Sequence, residues 1–254
     1  MARFFIPPTQ IHDDHFRLDG AEAHHALHVL RKKVGDTIDL FDGRDRSFKA
    51  EIQSINENTI EGRILKTQTL EKEAVAIWLF AALIKGPRWD WLVQKACEVG
   101  VDVLIPVTTT RTVIHLEKKE LSGKLERWNR IALEAAKQCG RATTMDVRSP
   151  QPFVSTFALS RHPNENVLLL FPWEKENQQT IRHACAGFRG QHVCLWIGPE
   201  GGWDEAEADL ALKSGAKAVT LGGNLLRSET ACIVAAALVA QELSFRSPST
   251  EPKC

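Results

Sequence analysis

The sequence predicts an α/β protein in which a small strand-rich N-terminal domain precedes a larger parallel-sheet domain. Three observations carry this. Short apolar strands separated by turn residues follow one another between residues 37 and 65. From Val75 onward apolar strands alternate with amphipathic helices, the pattern of a parallel sheet with helices on both faces. Two late strands break into glycine turns that each open a helix.

In chain order, Ala21–Lys33 reads as a short helix ended near Gly35. Thr37–Phe41, Ser47–Ile55 and Thr59–Leu65 are expected strands, divided at Asp42-Gly43 and at residues 56–58, and their spacing suggests a small barrel. The charged stretch Thr67–Glu73 reads as a linker. This places domains at 1–72 and 73–254. In the second, Val75–Ile84 is an apolar strand and Trp89–Glu98 a helix with Leu92, Val93 and Ala96 on one face. Val103–Val107 is a strand; Lys124–Cys139 is a helix with Leu125, Trp128, Ile131, Ala132 and Ala135 at core spacing, stopped by Gly140. Val167–Phe171, Val193–Ile197 and Ala218–Leu221 are strands. Thr230–Leu243 is a helix apolar almost all round.

The chain has 254 residues, 43% apolar and 25% charged, as in ordinary globular proteins. No apolar run approaches the roughly 20 residues of a membrane span, and the opening residues carry too short an apolar stretch for a signal peptide, so a cytoplasmic location is expected. The six cysteines form no Cys-x-x-Cys pair and read as reduced thiols. Net charge is zero, so any nucleic-acid contact has to come from local patches such as Arg31-Lys32-Lys33, Arg44 with Arg46, or Lys85 with Arg88.

In an open parallel sheet, ligands bind beyond the carboxyl ends of the strands. The unusual residues fall there: 85–88, Arg111, Pro172-Trp173, 198–202 and 221–227. Neither glycine turn matches a phosphate loop or a dinucleotide turn. After the first turn Asp204 is placed to N-cap a helix and Glu207 to close a capping box, so carboxylates hold the dipole end that a phosphate would need. Glu200 adds another negative charge. Bare backbone beside acids suits an uncharged or cationic ligand. His24 and His28 share a helix face, but no third ligand follows at metal-site spacing, and no metal is expected.

Ile197-Gly-Pro-Glu-Gly-Gly-Trp203 and Leu221-Gly-Gly-Asn-Leu-Leu-Arg-Ser-Glu-Thr-Ala231 resemble the SPOUT class of methyltransferases, and most closely the RsmE family. Residues 85–101, 110–113 and 125–141 resemble it in the same order, so the likeness runs over nearly the whole chain. It implies a PUA-like N-terminal barrel that helps hold RNA, and a C-terminal domain with a deep trefoil knot made from the last strands and final helix. It also implies a homodimer, to which the last helix contributes. The implied reaction is methyl transfer from S-adenosylmethionine to N3 of a uridine in 16S rRNA, within the small ribosomal subunit.

On the matching positions, Gly198, Pro199, Glu200, Gly201, Gly202, Leu221, Gly222 and Leu226 are the expected donor contacts. Uridine N3 is mostly protonated at neutral pH, so the proton has to leave and the anion on N3, O2 and O4 needs a partner. The Arg227 guanidinium fork fits two such oxygens. Glu229 or Glu200 is the candidate proton acceptor, although Glu229 equally suits the first turn of the last helix. Lys85, Arg88 and Arg111, with Arg31 and Lys32 of the barrel, are the expected RNA-phosphate contacts. Trp89, Trp91, Trp173 and Trp203 are candidates to stack on a base. Two rivals stay open. A ribose 2′-hydroxyl methyltransferase of the same class is disfavoured because residues 85–91 lack the Asn-x-x-Gly-x-x-x-Arg block of those enzymes. A non-catalytic RNA-binding protein is disfavoured by the intact Arg227 and glycine turns.

Overall fold

The computed structural model describes residues 2–69, 75–114, 117–141, 143–160 and 166–244. By compactness the chain divides into one unit of residues 1–72 with 133–144 and a second of 73–132 with 145–254. The first unit contains β1 (Arg3–Phe5), β2 (Ile11–His12), β3 (His15–Leu18), α1 (Gly20–His24), β4 (Thr37–Phe41), β5 (Arg46–Asn56) and β6 (Thr59–Thr69). These strands form one six-stranded sheet, ordered β1-β4-β5-β6-β3-β2 and parallel only between β1 and β4. Period-two alternation turns Ile38 and Leu40, Phe48, Ala50 and Ile52, and Phe16 and Leu18 into a single core with Phe4 and Ile60.

Two expectations are corrected here. The helix read as Ala21–Lys33 ends earlier, because α1 widens into a π-helical turn over His25–Val29 and Arg31 takes a φ of 55°. The amide of Lys32 closes that end by donating to Ala26 O at 3.0 Å. The strand β6 runs to Thr69, so the first residues of the stretch read as a linker are paired in the sheet; positions 70–73 of that stretch lie outside the described residues.

Residues 133–144 join the first unit through specific bonds. The Lys137 ammonium donates to Glu22 at 2.8 Å and Glu134 at 2.9 Å, and Arg3 donates to Arg141 O at 2.9 Å. Asp42 is the unit's polar centre. Its Oδ1 accepts the amides of Arg44 (3.0 Å), Asp45 (3.3 Å) and Arg46 (3.1 Å), and its Oδ2 accepts Arg46 Nε at 2.8 Å. Burial alone would push this carboxyl up; the Arg46 guanidinium and the three amides outweigh it and hold it below its usual value. A depressed folded pKa contributes stability above the ordinary aspartate range and loses it as pH falls through the folded value. Asp42→Asn is therefore expected to cost about 2 kcal/mol at pH 7. In urea titrations its deficit relative to the parent should shrink steadily below about pH 4.

The second unit contains β7 (Ala76–Ala82), α2 (Pro87–Glu98), β8 (Val103–Thr108), α3 (Lys118–Cys139), β9 (Asp146–Val147), β10 (Gln151–Pro152) and α4 (Phe153–Leu159). The helix α3 continues into the first unit at Leu133. Then follow β11 (Val167–Pro172), α5 (Ile181–Cys185), β12 (His192–Ile197), α6 (Glu205–Lys213), β13 (Lys217–Val219) and α7 (Ser228–Ser244). The sheet runs β10-β8-β7-β12-β11-β13, with β9 beside β8, and every pairing is parallel. One face carries Phe80, Ile105, Phe171, Cys194 and Trp196 under α4 and α6, with Phe80 and Phe157 stacked on Trp196 at 4.7 and 5.0 Å. The other face packs on α7, which also meets α2 and α5. Among the described residues no helix is long and apolar enough to cross a membrane.

Candidate active site

Three strands, β11, β12 and β13, end side by side, and their following loops enclose a cavity of about 990 Å³. Its wall is made by residues 197–203 and 220–228, with Pro172, Trp173, Glu174, Glu176 and Arg88. The two glycine turns are joined directly, since Ser228 Oγ donates to Gly198 O at 2.7 Å. Gly202 and Gly222 have φ of 72° and 121°, which side chains disfavour, so these turns keep their backbone bare. A Cβ on Gly202 would stand 2.8 Å from a Glu174 oxygen, so that carboxylate closes one side of the cavity. Beneath the first turn, Trp203 stacks on Phe171 at 4.6 Å and its indole N–H donates to Pro172 O at 3.3 Å.

After that turn the predicted cap is present. Asp204 Oδ1 accepts the Ala206 amide at 3.0 Å, and Glu207 Oε2 accepts the Asp204 amide at 3.2 Å. Glu207 also reaches the loop after β8, where its Oε1 accepts Thr110 N at 2.8 Å and Thr110 Oγ1 at 3.1 Å. Arg111 of that loop donates to Gly201 O at 2.9 Å. Arg88, in the first turn of α2, pairs with Glu200 and lies 3.8 Å from Glu229. Glu229 is buried in the first turn of α7. Arg227 is exposed on the cavity wall and carries no side-chain hydrogen bond or ion pair among the described residues.

Burial pushes the Cys194 thiol up to about 12 and raises Cys232 as well, so neither supplies a thiolate nucleophile. Among the described residues no group of three or more His, Cys, Asp or Glu side chains is placed to hold a metal. The cavity combines exposed backbone, apolar walls at Ile197, Leu221 and Leu226, carboxylates, and one unpaired guanidinium. That donor set fits a phosphate-free ligand with a cationic group.

A family model described as an RNA methyltransferase domain matches residues 71–240, and one described as an RNA methyltransferase PUA domain matches 18–65. Ribosomal RNA small subunit methyltransferase E of Synechocystis is 30% identical over 238 residues, spanning 93% of this chain and 76% of that protein. The chain belongs to the ribosomal RNA small subunit methyltransferase E family. The Bacillus subtilis member is 27% identical over 95% of this chain and 97% of its own. The Neisseria gonorrhoeae member, solved bound to S-adenosyl methionine, superposes with a TM-score of 0.82 at 29% identity, covering 95% of this chain and 97% of that one. A Legionella pneumophila methyltransferase in complex with the same bound cofactor gives 0.77 at 27% identity, covering 94% and 97%.

Within this family member, the fold brings together most of the residues singled out from sequence. Gly198, Pro199, Glu200, Gly201, Gly202, Leu221, Gly222, Leu226 and Arg227 all line the one cavity. Glu229 does not line it. Lys85 and Arg31 are exposed without an ion pair among the described residues, and Lys32 donates to Thr37 O at 3.0 Å. Of the tryptophans, Trp89 is packed against Trp128 and Trp203 is core; Trp173 lines the cavity and Trp91 is exposed. His24 and His28 face each other with ring centroids 4.5 Å apart. Glu174, Glu176 and Ser228 were not foreseen. The first two follow the end of β11, where the strand-end rule already pointed to Pro172-Trp173.

Proposed function

We propose that this protein transfers a methyl group from S-adenosylmethionine to N3 of a uridine in 16S rRNA of the small ribosomal subunit, in the cytoplasm. The observation that carries the reading is Arg227, without a partner among the described residues, on the wall of a cavity built by two bare glycine turns. The names of its relatives and the bound cofactor of two structural neighbours support it. S-adenosylmethionine supplies an electrophilic methyl group on a sulfonium. The backbone of 198–202 and 221–226 would hold the donor, with apolar contacts from Ile197, Leu221 and Leu226. Glu200, reaching the cavity and paired with Arg88, offsets positive charge there, and the N3 proton goes to one of the two carboxylates that flank Arg88, Glu200 or the buried Glu229. Arg227 holds the uracil oxygens as negative charge develops. Lys85 in this unit and Arg31 and Lys32 in the PUA unit hold RNA phosphates.

The reading extends to a deep trefoil knot and a homodimer. For the knot, β12 lies between β7 and β11, and α7 returns from β13 beyond β11 to pack on β7 and β12; an experimental chain trace tests it. For the dimer, α7 buries Cys232, Ala235, Ala236 and Val239 yet leaves Leu238 37% exposed on its apolar outer side. Sedimentation of Leu238→Glu should then give a monomer where the parent gives a dimer.

Labelled S-adenosylmethionine with unmodified small subunits, followed by digestion of the RNA, tests the activity. Label in 3-methyluridine is the expected result. Label in another nucleoside overturns the target atom, and no label overturns the enzyme.

A further inference from the structure

We infer that Arg88 and Arg111 are positioning residues that clamp the 200–204 turn into its donor-binding shape, and that Arg111 is not an RNA contact. The inference rests on the methyl-donor reading of the cavity.

The turn holds two adjacent glycines, the backbone with most freedom to lose on ordering. A ligand recognised by backbone N–H and C=O groups needs that backbone preset. Locally one turn bond, Gly202 N to Pro199 O at 2.9 Å, holds it, and two distant loops add contacts from outside. From one side Arg111 donates to Gly201 O at 2.9 Å and brings Nη2 to 3.7 Å from Asp204 Oδ2. Its stem covers the glycine, since a Cβ on Gly201 would stand 3.6 Å from Arg111 Cβ. From the other side Arg88 holds Glu200.

The loop that carries Arg111 is itself rigid. Thr109 N donates to Thr112 Oγ1 at 2.9 Å, and Thr112 is buried. Thr110 is bonded twice to Glu207, whose second oxygen closes the α6 capping box. One buried carboxylate thus ties the loop after β8 to the start of α6, and the Arg111 guanidinium completes the bracket around Gly201 and Gly202. With one N–H given to Gly201 O and its charge set beside Asp204, the Arg111 guanidinium is directed at the turn and partly neutralised there.

The experiment compares Arg111→Ala, Arg111→Lys and Thr110→Val. It reads S-adenosylmethionine Kd by calorimetry, amide exchange of residues 198–204 without ligand, and KM for the ribosomal RNA substrate. Both arginine variants should raise the Kd about tenfold, speed exchange in the turn, and leave the RNA KM unchanged. Lysine should not rescue, because it lacks the planar guanidinium that reaches Gly201 O while facing Asp204. Thr110→Val, which keeps the charge and loses one bond to Glu207, should move Kd and exchange in the same direction by about threefold. A raised RNA KM in Arg111→Ala that Arg111→Lys restores, with Kd and exchange unmoved, overturns the clamp. A parent protein that binds no S-adenosylmethionine overturns the donor reading instead, while the exchange rates still decide whether the turn is clamped.

Discussion

Arg227→Ala should lower kcat for methyl transfer by about a hundred- to a thousandfold while the S-adenosylmethionine Kd stays within about twofold. The expectation follows from where the guanidinium stands. It lies on the cavity wall, exposed and without a protein partner among the described residues, just before the first turn of α7. That end of α7 is anchored by Ser228 on Gly198 O, so the arginine is carried by a fixed backbone beside the donor turn. A charged donor fork with no protein partner among the described residues is complementary to a group that becomes anionic during reaction. Uracil is such a group once N3 loses its proton. Removing the fork should therefore cost the reaction and spare donor binding. Single-turnover rates against pH give a second readout. The defect of Arg227→Ala should narrow as pH rises, because more of the uracil is already deprotonated without help. Arg227→Lys should recover part of the rate, since it keeps the charge and loses the second bond. A rate unchanged in Arg227→Ala would remove this residue from the mechanism.

On stability, the largest expected effect is at Gly62, far in sequence from either glycine turn. Gly62 is buried in β6 between Ile52 of β5 and Phe16 of β3. A Cβ there would stand 2.0 Å from Glu51 O and 2.7 Å from the Phe16 ring. The first neighbour is backbone inside a bulged ladder and cannot step aside without breaking strand pairing. Gly62→Ala should therefore cost about 3 kcal/mol in urea unfolding. Gly123→Ala makes the contrast. Gly123 is exposed in α3 with nothing within reach of an added Cβ, so alanine should stabilise by about 0.5–1 kcal/mol. Equal effects at the two positions would show that helix and strand propensity, not the close approach at Gly62, governs the cost.

The division between what sequence and fold each contribute can be followed residue by residue. The core strands of the parallel sheet were legible because each is an apolar run between polar or turn residues. The helix α3 was legible over its apolar seam from Leu125 and missed over 118–123, where the pattern is charged. The capping pair Asp204 and Glu207 was readable since both partners lie within one helical turn. The strands β1, β2 and β3 are two to four residues long, too short to show a period; β1 forms on the edge of β4, β3 on the edge of β6, and β2 in turn on β3. Short α4 was missed for the same reason; it is held by Phe153 and Phe157 packing on the sheet.

By itself the sequence determined the α/β class, the order of the main elements, the family likeness and the two turns that meet at the cavity. Each of these is written in contiguous residues, as a period, a cap or a motif. The tertiary structure decided which side chains those turns meet. Arg88 and Arg111 read as free cations along the chain, but their acceptors lie 112 and 90 residues later. Glu174 became part of the site because β11 ends beside β12. A charge carries no local mark of its partner; only the packing of distant strands brings the pair within a few ångströms and sets whether an arginine is held or left free for a ligand.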